Sequence, residues 1–180
     1  MKYITLLFAL TMILTSCEGD QGPPGFNGAN GINGLDGAVA QSFEREVDFF
    51  APDYGVRIPY PQTIINQTAA TDMTLVYLLW DTVPDNNGNP IDIWRLVPQV
   101  RYTNFGEFQY NYEFTNIDVD IFLEAPDPLT LDQLPAGDVL GQIFRVVIIP
   151  VDVDFNAVDI TDYNAVMNAA GLTAQDIIIE

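Results

Sequence analysis

The side chains able to do chemistry are 25 carboxylates, eight tyrosines and five arginines, with little else. There is no histidine, one lysine (Lys2), one cysteine (Cys17) and two serines (Ser16 and Ser42). A Ser-His-Asp or Cys-His arrangement is therefore excluded. A zinc site of imidazoles or paired thiolates is excluded too, as is a Schiff-base lysine beyond Lys2. Carboxylates leave two chemistries: a hard cation held by oxygens, or glycoside hydrolysis by a carboxylate pair. Asp152, Asp154 and Asn156 alternate with apolar residues, and Asp159 and Asp162 follow. Calcium takes six to eight oxygens, and its loops supply them at alternate positions. The same stretch also reads as a strand end followed by a helix cap at Asp159 or Thr161. Asp85-Asn86-Asn87-Gly88-Asn89 is rich in oxygen as well, yet it is the composition of a hairpin turn. Asp118 and Asp120 share one strand face, as a solvated face or as half of a carboxylate pair.

The elements that must position these groups read as strands. Apolar residues are 48% of the 180, enough for a core. Phe43, Arg45, Val47 and Phe49 alternate with Glu44, Glu46 and Asp48, as in a half-buried strand. Pro52, Pro59 and Pro61 punctuate a loop that offers Tyr54 and Tyr60 for exposed contacts. Residues 73–80 and 142–149 are apolar on both faces, as central strands are, and Pro150 ends the second. Residues 84–90 are a turn from which 91–97 return as a hairpin. Phe108, Tyr110, Tyr112 and Phe114 face one way, a core row or a surface for sugar rings. Ile117, Val119, Ile121 and Leu123 alternate with Asp118 and Asp120. Residues 125–141 form a Pro- and Asp-rich connection. Tyr163, Val166, Met167 and Ala170 make a helical stripe that Gly171 and Leu172 stop. Ile177-Ile178-Ile179 suits an edge strand. Seven or eight strands over 41–180 predict a mainly β fold. It is an antiparallel sandwich, Greek-key or jelly-roll-like, with one C-terminal helix.

The first forty residues differ in kind. Residues 3–13 are apolar behind Lys2, about eleven residues where a spanning helix needs about twenty. They fit a secretory signal peptide over 1–16. In 17–40, Gly19, Gly22, Gly25, Gly28, Gly31, Gly34 and Gly37 recur at every third position. Only hydrogen fits at the crowded axis of a three-chain helix, which gives that period. The tract is either such a helix, roughly 50 Å long at about 3 Å per residue, or an extended tether. Pro23-Pro24 is its only imino pair. The net charge of -19 lacks the basic footprint that nucleic acid needs and opposes attraction to anionic headgroups.

Leu14-Thr15-Ser16-Cys17 resembles the bacterial lipobox. That resemblance implies a diacylglyceryl group on the Cys17 sulfur, a palmitate-type chain on its freed amine, and a membrane anchor. The Gly-X-Y triplets resemble bacterial collagen-like repeats. With Ile93-Trp94, residues 110–115 (YNYEFT), residues 144–147 (FRVV) and Asp162-Tyr163 as landmarks, the chain resembles the collagen-like-repeat lipoproteins of Bacteroidota-type cell envelopes. The resemblance implies location and architecture rather than mechanism. It gives an outer-membrane lipoprotein, on the periplasmic face or the cell surface, that presents a β-sandwich for structural or binding work without catalysis. Its partner is the membrane, with no nucleic acid, and it is a homotrimer where the tract winds with two other copies. Residues 152–162 resemble a dockerin or EF-hand loop, with Ala157 where the turn glycine belongs and Tyr163 at the twelfth position. This implies the alternative, a calcium-dependent carbohydrate-binding or adhesion module. A carboxylate-based hydrolase is the remote alternative. Asp81-Thr82-Val83 matches an O-glycosylation pattern of that group, and Asn66-Gln67-Thr68 fits an N-glycosylation sequon.

Overall fold

The computed structural model describes residues 39–151, 153 and 157–179. The leader, Cys17, the Gly-X-Y tract, Asp152, Asp154 and Asn156 lie outside the described residues. The described strands are β1 (Gln41–Val47), β2 (Gly55–Pro59), β3 (Met73–Pro84), β4 (Pro90–Leu96), β5 (Gln99–Thr103), β6 (Gly106–Phe114), β7 (Asp118–Glu124), β8 (Gln142–Ile149) and β9 (Ile177–Ile179). Three short helices join them: α1 (Gln62–Ile65), α2 (Ala136–Val139) and α3 (Tyr163–Ala169). One sheet has the order β4-β3-β8-β1-β9 and the other β2-β7-β6-β5. Pairing is antiparallel except for β9, which runs parallel to β1. The fold is thus the mainly β, two-sheet sandwich that the alternation predicts. Its long-range pairs are β1 with β8, β3 with β8, β2 with β7 and β1 with β9, while β3–β4 and β5–β6–β7 are local hairpins.

Two strands are additional to the sequence reading. β2 falls in the proline-punctuated stretch that reads as a loop. It is an edge strand paired only with β7, so Pro59 at its end removes no bond from the ladder interior. β5 is the other edge and pairs only with β6.

The core lies between the sheets. Phe43, Val76, Leu78, Phe144 and Val146 of one sheet meet Phe108, Tyr110, Val119 and Ile121 of the other. The Phe49 ring sets its edge against Phe144 at 6.0 Å. A second core covers the outer face of the five-stranded sheet, where Leu75, Tyr77, Val147 and Ile149 pack against Val166, Met167 and Leu172. Residues 75–78 of β3 and 146–149 of β8 therefore have no polar face, because both faces are buried there.

The helix over this second core is α3. Its cap is Asp162, whose carboxylate accepts from the Ala165 amide at 3.1 Å. This corrects the expectation of Asp159 or Thr161. The Asp159 carboxylate is taken by the amide and hydroxyl of Thr161, at 2.9 and 2.7 Å. At the other end Gly171 has φ +68°, and the Leu172 and Gly171 amides donate back to Met167 and Asn168. That pair of bonds closes the helix in a Schellman motif and turns Leu172 into the core.

Candidate functional site

The outer face of the four-stranded sheet carries Asp118 and Asp120, the strand carboxylates that the sequence singles out. β2 sets Arg57 opposite Asp120 of β7, because the two are register partners. Arg57 Nε donates to Asp120 Oδ1 at 2.8 Å, Nη2 donates to Oδ2 at 2.5 Å, and Asp118 lies 3.8 Å from Nε. The Arg57 guanidinium, hydrogen-bonded to Asp120, holds its carboxyl below the usual carboxylate range. Asp118 also accepts from the Thr115 hydroxyl. An open hollow of about 660 Å³ adjoins this pair, floored by Gly55 and Phe122 and rimmed by Asp53 and Glu113. A glycosidase acid needs a carboxyl whose pKa is raised, and the Arg57 contact acts on Asp120 in the other direction, which suits an ionised carboxylate. Asp118 and Asp120 form a surface ion pair with Arg57, a pairing that depends on β2, whose flanking prolines give it the composition of a loop. The Val56-Arg57-Ile58 alternation was the signal for it.

The calcium candidates separate. Asp152, Asp154 and Asn156 lie outside the described residues. Asp159 and Asp162 are both hydrogen-bonded to their own backbone, one closing a turn and the other capping α3. Among the described residues no three His, Cys, Asp or Glu side chains gather as a metal site. Asp85 accepts from the amides of Asn87 and Asn89 at 2.7 and 2.8 Å and from the Asn89 side chain at 3.0 Å. These bonds, the Asn89 side chain first, lower its pKa. The stretch is a hairpin turn with Gly88 at φ +84°.

The tyrosines divide differently from expectation. Tyr60 is not an exposed contact: it is 2% exposed. Its hydroxyl lies 2.9 Å from the Thr74 hydroxyl and donates to the Thr115 carbonyl at 3.0 Å. Burial pushes it up to about 12. The reason is topological, since β2 returns to the sandwich and carries Tyr60 under the β6–β7 turn. Tyr54 is half-buried at φ +47° and donates to Asp132 at 2.9 Å. Phe108 and Tyr110 are core as expected, while Phe114 at the end of the same row is 45% exposed.

Three of the four landmark segments meet on the outer face of the five-stranded sheet. The Arg145 guanidinium lies 3.9 Å over the Trp94 ring, donates to the Tyr163 hydroxyl at 2.6 Å and pairs with Glu44. Tyr163 in turn packs edge-on against Tyr77 at 5.2 Å. This cluster docks α3 onto β4 and β8. At the sandwich's side, Arg95 and Arg101 lie 3.9 and 4.6 Å from the Trp80 ring, and Arg101 also pairs with Asp138 of α2. Trp80 is the extra residue of a bulge between Leu79 and Asp81. Arginine is thus spent on holding elements together. Of the glycosylation motifs, the Thr68 hydroxyl bonds the Ile65 and Asn116 carbonyls, and the exposed Thr82 hydroxyl bonds Asp92.

No family model, curated protein or solved structure matches this chain. No described helix is long and apolar enough to cross a membrane.

Proposed function

We propose that this chain is an envelope lipoprotein: an acyl anchor on Cys17, a Gly-X-Y spacer, and an acidic β-sandwich that works by binding or structure rather than by catalysis. The observation that carries the proposal is the position of the only cysteine. It closes the apolar leader directly behind Leu14-Thr15-Ser16, and a lone thiol has no disulfide partner in an oxidising compartment. Several acyl chains give stable anchoring where one does not. The domain's electrostatics support the non-catalytic part. Asp120 is held ionised by Arg57, and Arg95, Arg101 and Arg145 are engaged with rings and carboxylates of the fold. The outer membrane is the proposed location, on its periplasmic or outer side.

The experiment is metabolic labelling with palmitate, followed by fractionation of cells expressing the full chain. The wild type should carry label and sediment with membranes, and Cys17→Ala should do neither. An unlabelled, soluble wild type would sink the proposal.

A further inference from the structure

We infer that the hollow between the β5–β6 hairpin and α2 is a binding site for the ring of a neutral sugar, held without calcium. This site would supply the binding role proposed above, so it rests on that reading and not on lipid attachment to Cys17.

The hollow is open to solvent, about 620 Å³ in volume, and bordered by Tyr102, Asn104 and Phe105 of the hairpin with Arg101 and Asp138. Small-molecule sites occupy roughly 300–1,000 Å³. Two of its borders are rings that stand out in water. Tyr102 is 82% exposed, the most of any large apolar side chain described, and Phe105 is 51% exposed. One such side chain alone means nothing, since apolar atoms make up much of any surface. Here both rings border the same hollow as polar groups whose bonding is incomplete. Asp138 uses Oδ1 on the Arg101 guanidinium, at 2.5 Å, and its Oδ2 has no partner among the described residues. The Asn104 amide group and the Tyr102 hydroxyl have none among them either.

These groups are held in place before any ligand arrives. The Thr103 hydroxyl accepts from the Phe105 amide at 3.1 Å and donates to the Gly106 carbonyl at 2.8 Å, which closes the turn. Thr130, itself buried, donates to the Phe105 carbonyl at 3.2 Å. On the α2 side, the Tyr110 hydroxyl donates to the Asp138 carbonyl at 2.7 Å, and Arg101 lies 4.6 Å from the Trp80 ring. Fixed groups lose little by ordering when they bind.

The bonding left over describes the ligand. A carboxylate oxygen only accepts, whereas an amide group both donates and accepts. Neighbouring sugar hydroxyls satisfy both, because each donates and accepts. The face of a tyrosine ring is negative and attracts the C–H bonds that line one side of a pyranose. An open hollow covers such a ring on one side only, which is all that stacking requires. Charge narrows the class further. The lining holds one cation and one anion, already paired, and a net charge of -19 disfavours phosphates and uronic acids. The hollow beside Arg57 is balanced differently. It sets Asp53, Glu113 and Asp120 against one arginine, and its one ring, Phe122, is half-buried.

The test is saturation-transfer NMR on the chain from Glu18 onward with neutral gluco-, manno-, galacto- and xylo-oligosaccharides, each in calcium and in EDTA. At least one sugar should receive magnetisation from the protein, equally in both. Tyr102→Ala and Asn104→Ala should each weaken its binding about tenfold or more with the circular dichroism spectrum unchanged. Tyr102→Phe keeps the ring and should stay within about threefold of wild type. Phe114→Ala removes an exposed ring roughly 27 Å away, at the far end of β6, and should change nothing. No transfer to any of these sugars overturns the inference, and so does transfer that survives both alanines or that EDTA abolishes. A chain without sugar transfer whose mass by light scattering exceeds the monomer, and falls on Tyr102→Ala, also overturns it and gives the rings to a second copy. Cleavage of the bound sugar would uphold the site and sink the non-catalytic reading. Palmitate labelling reads Cys17 alone, so either proposal can fail without the other.

Discussion

Tyr60 shows how a single side chain changes meaning with its surroundings. Beside three prolines it has the company of a surface loop residue. In the fold its ring packs on Phe43 at 5.8 Å and its hydroxyl ties Thr74 of one sheet to Thr115 at the end of the other. Tyr60→Phe keeps the ring and removes both bonds. It should cost about 1–2 kcal/mol in urea unfolding, because the Thr115 carbonyl is then left without that donor. Tyr54→Phe, which loses only a surface bond to Asp132, should stay within about 0.5 kcal/mol of wild type. Burial also sets an alkaline limit. Tyr60 and Tyr110 are pushed up to about 12, and Tyr77 and Tyr112 are raised in the same direction by the same cause. The folded state holds these protons more tightly than the unfolded chain, whose tyrosines titrate near 10. Stability is therefore intact below pH ~10 and falls as the pH rises through ~12. Absorbance at 295 nm should show these phenols ionising together with the loss of near-ultraviolet dichroism. Titration of all the phenols with the dichroism unchanged would count against it.

Elements carry the next level of cause. Gly106, at φ +125°, shows why one turn admits only glycine: a Cβ there would meet the Thr130 hydroxyl at 3.0 Å. Asp162 caps α3, and Asp162→Ala should cost about 1 kcal/mol, equally in calcium and in EDTA. A loss seen only in calcium would return the residue to a metal site. Arg145→Lys should cost on the order of 2–3 kcal/mol in thermal or urea unfolding. Lysine keeps the charge, but it cannot stack on Trp94, reach Tyr163 and engage Glu44 at once, and Glu44 is mostly buried. Strands with a plain period were legible in the sequence. β6 alternates along its whole length, and residues 75–80 of β3 and 146–149 of β8 are apolar without a break because two cores bury them. The helix stripe and its glycine stop were legible for the same reason. β2 and β5 were not, since each is an edge strand of only five residues, too short to show a clear period, and β2 is moreover paired with the distant β7. The partners of Asp120, Glu44 and Trp80 were hidden likewise. A side chain's neighbour across a sheet is fixed by register, and no local period encodes register between strands 63 residues apart, as for Arg57 and Asp120.

At the scale of the whole molecule, charge is the dominant fact. Carboxylates outnumber cations by 19, and the arginines that could offset them at long range are held in local contacts. Self-repulsion of this kind destabilises the compact state and is relieved by ions. The screening length is about 10 Å at 0.1 M salt and about 3 Å at 1 M, shorter than most separations across a sandwich. The surface ion pairs act in the opposite sense, since salt weakens them, but each exposed pair is worth only about 0–1 kcal/mol. Repulsion therefore outweighs them. The melting temperature of the chain from Glu18 onward should rise by several degrees between low salt and ~0.5 M sodium chloride. A fall would mean that Arg57–Asp120 and its like outweigh the net charge. Repeating the melt with calcium at matched ionic strength separates charge screening from specific binding. Equal melting temperatures would leave the carboxylates as a solvated anionic surface. A further rise with calcium alone would direct attention to Asp152, Asp154 and Asn156, since Asp159 and Asp162 are already committed to the backbone around α3.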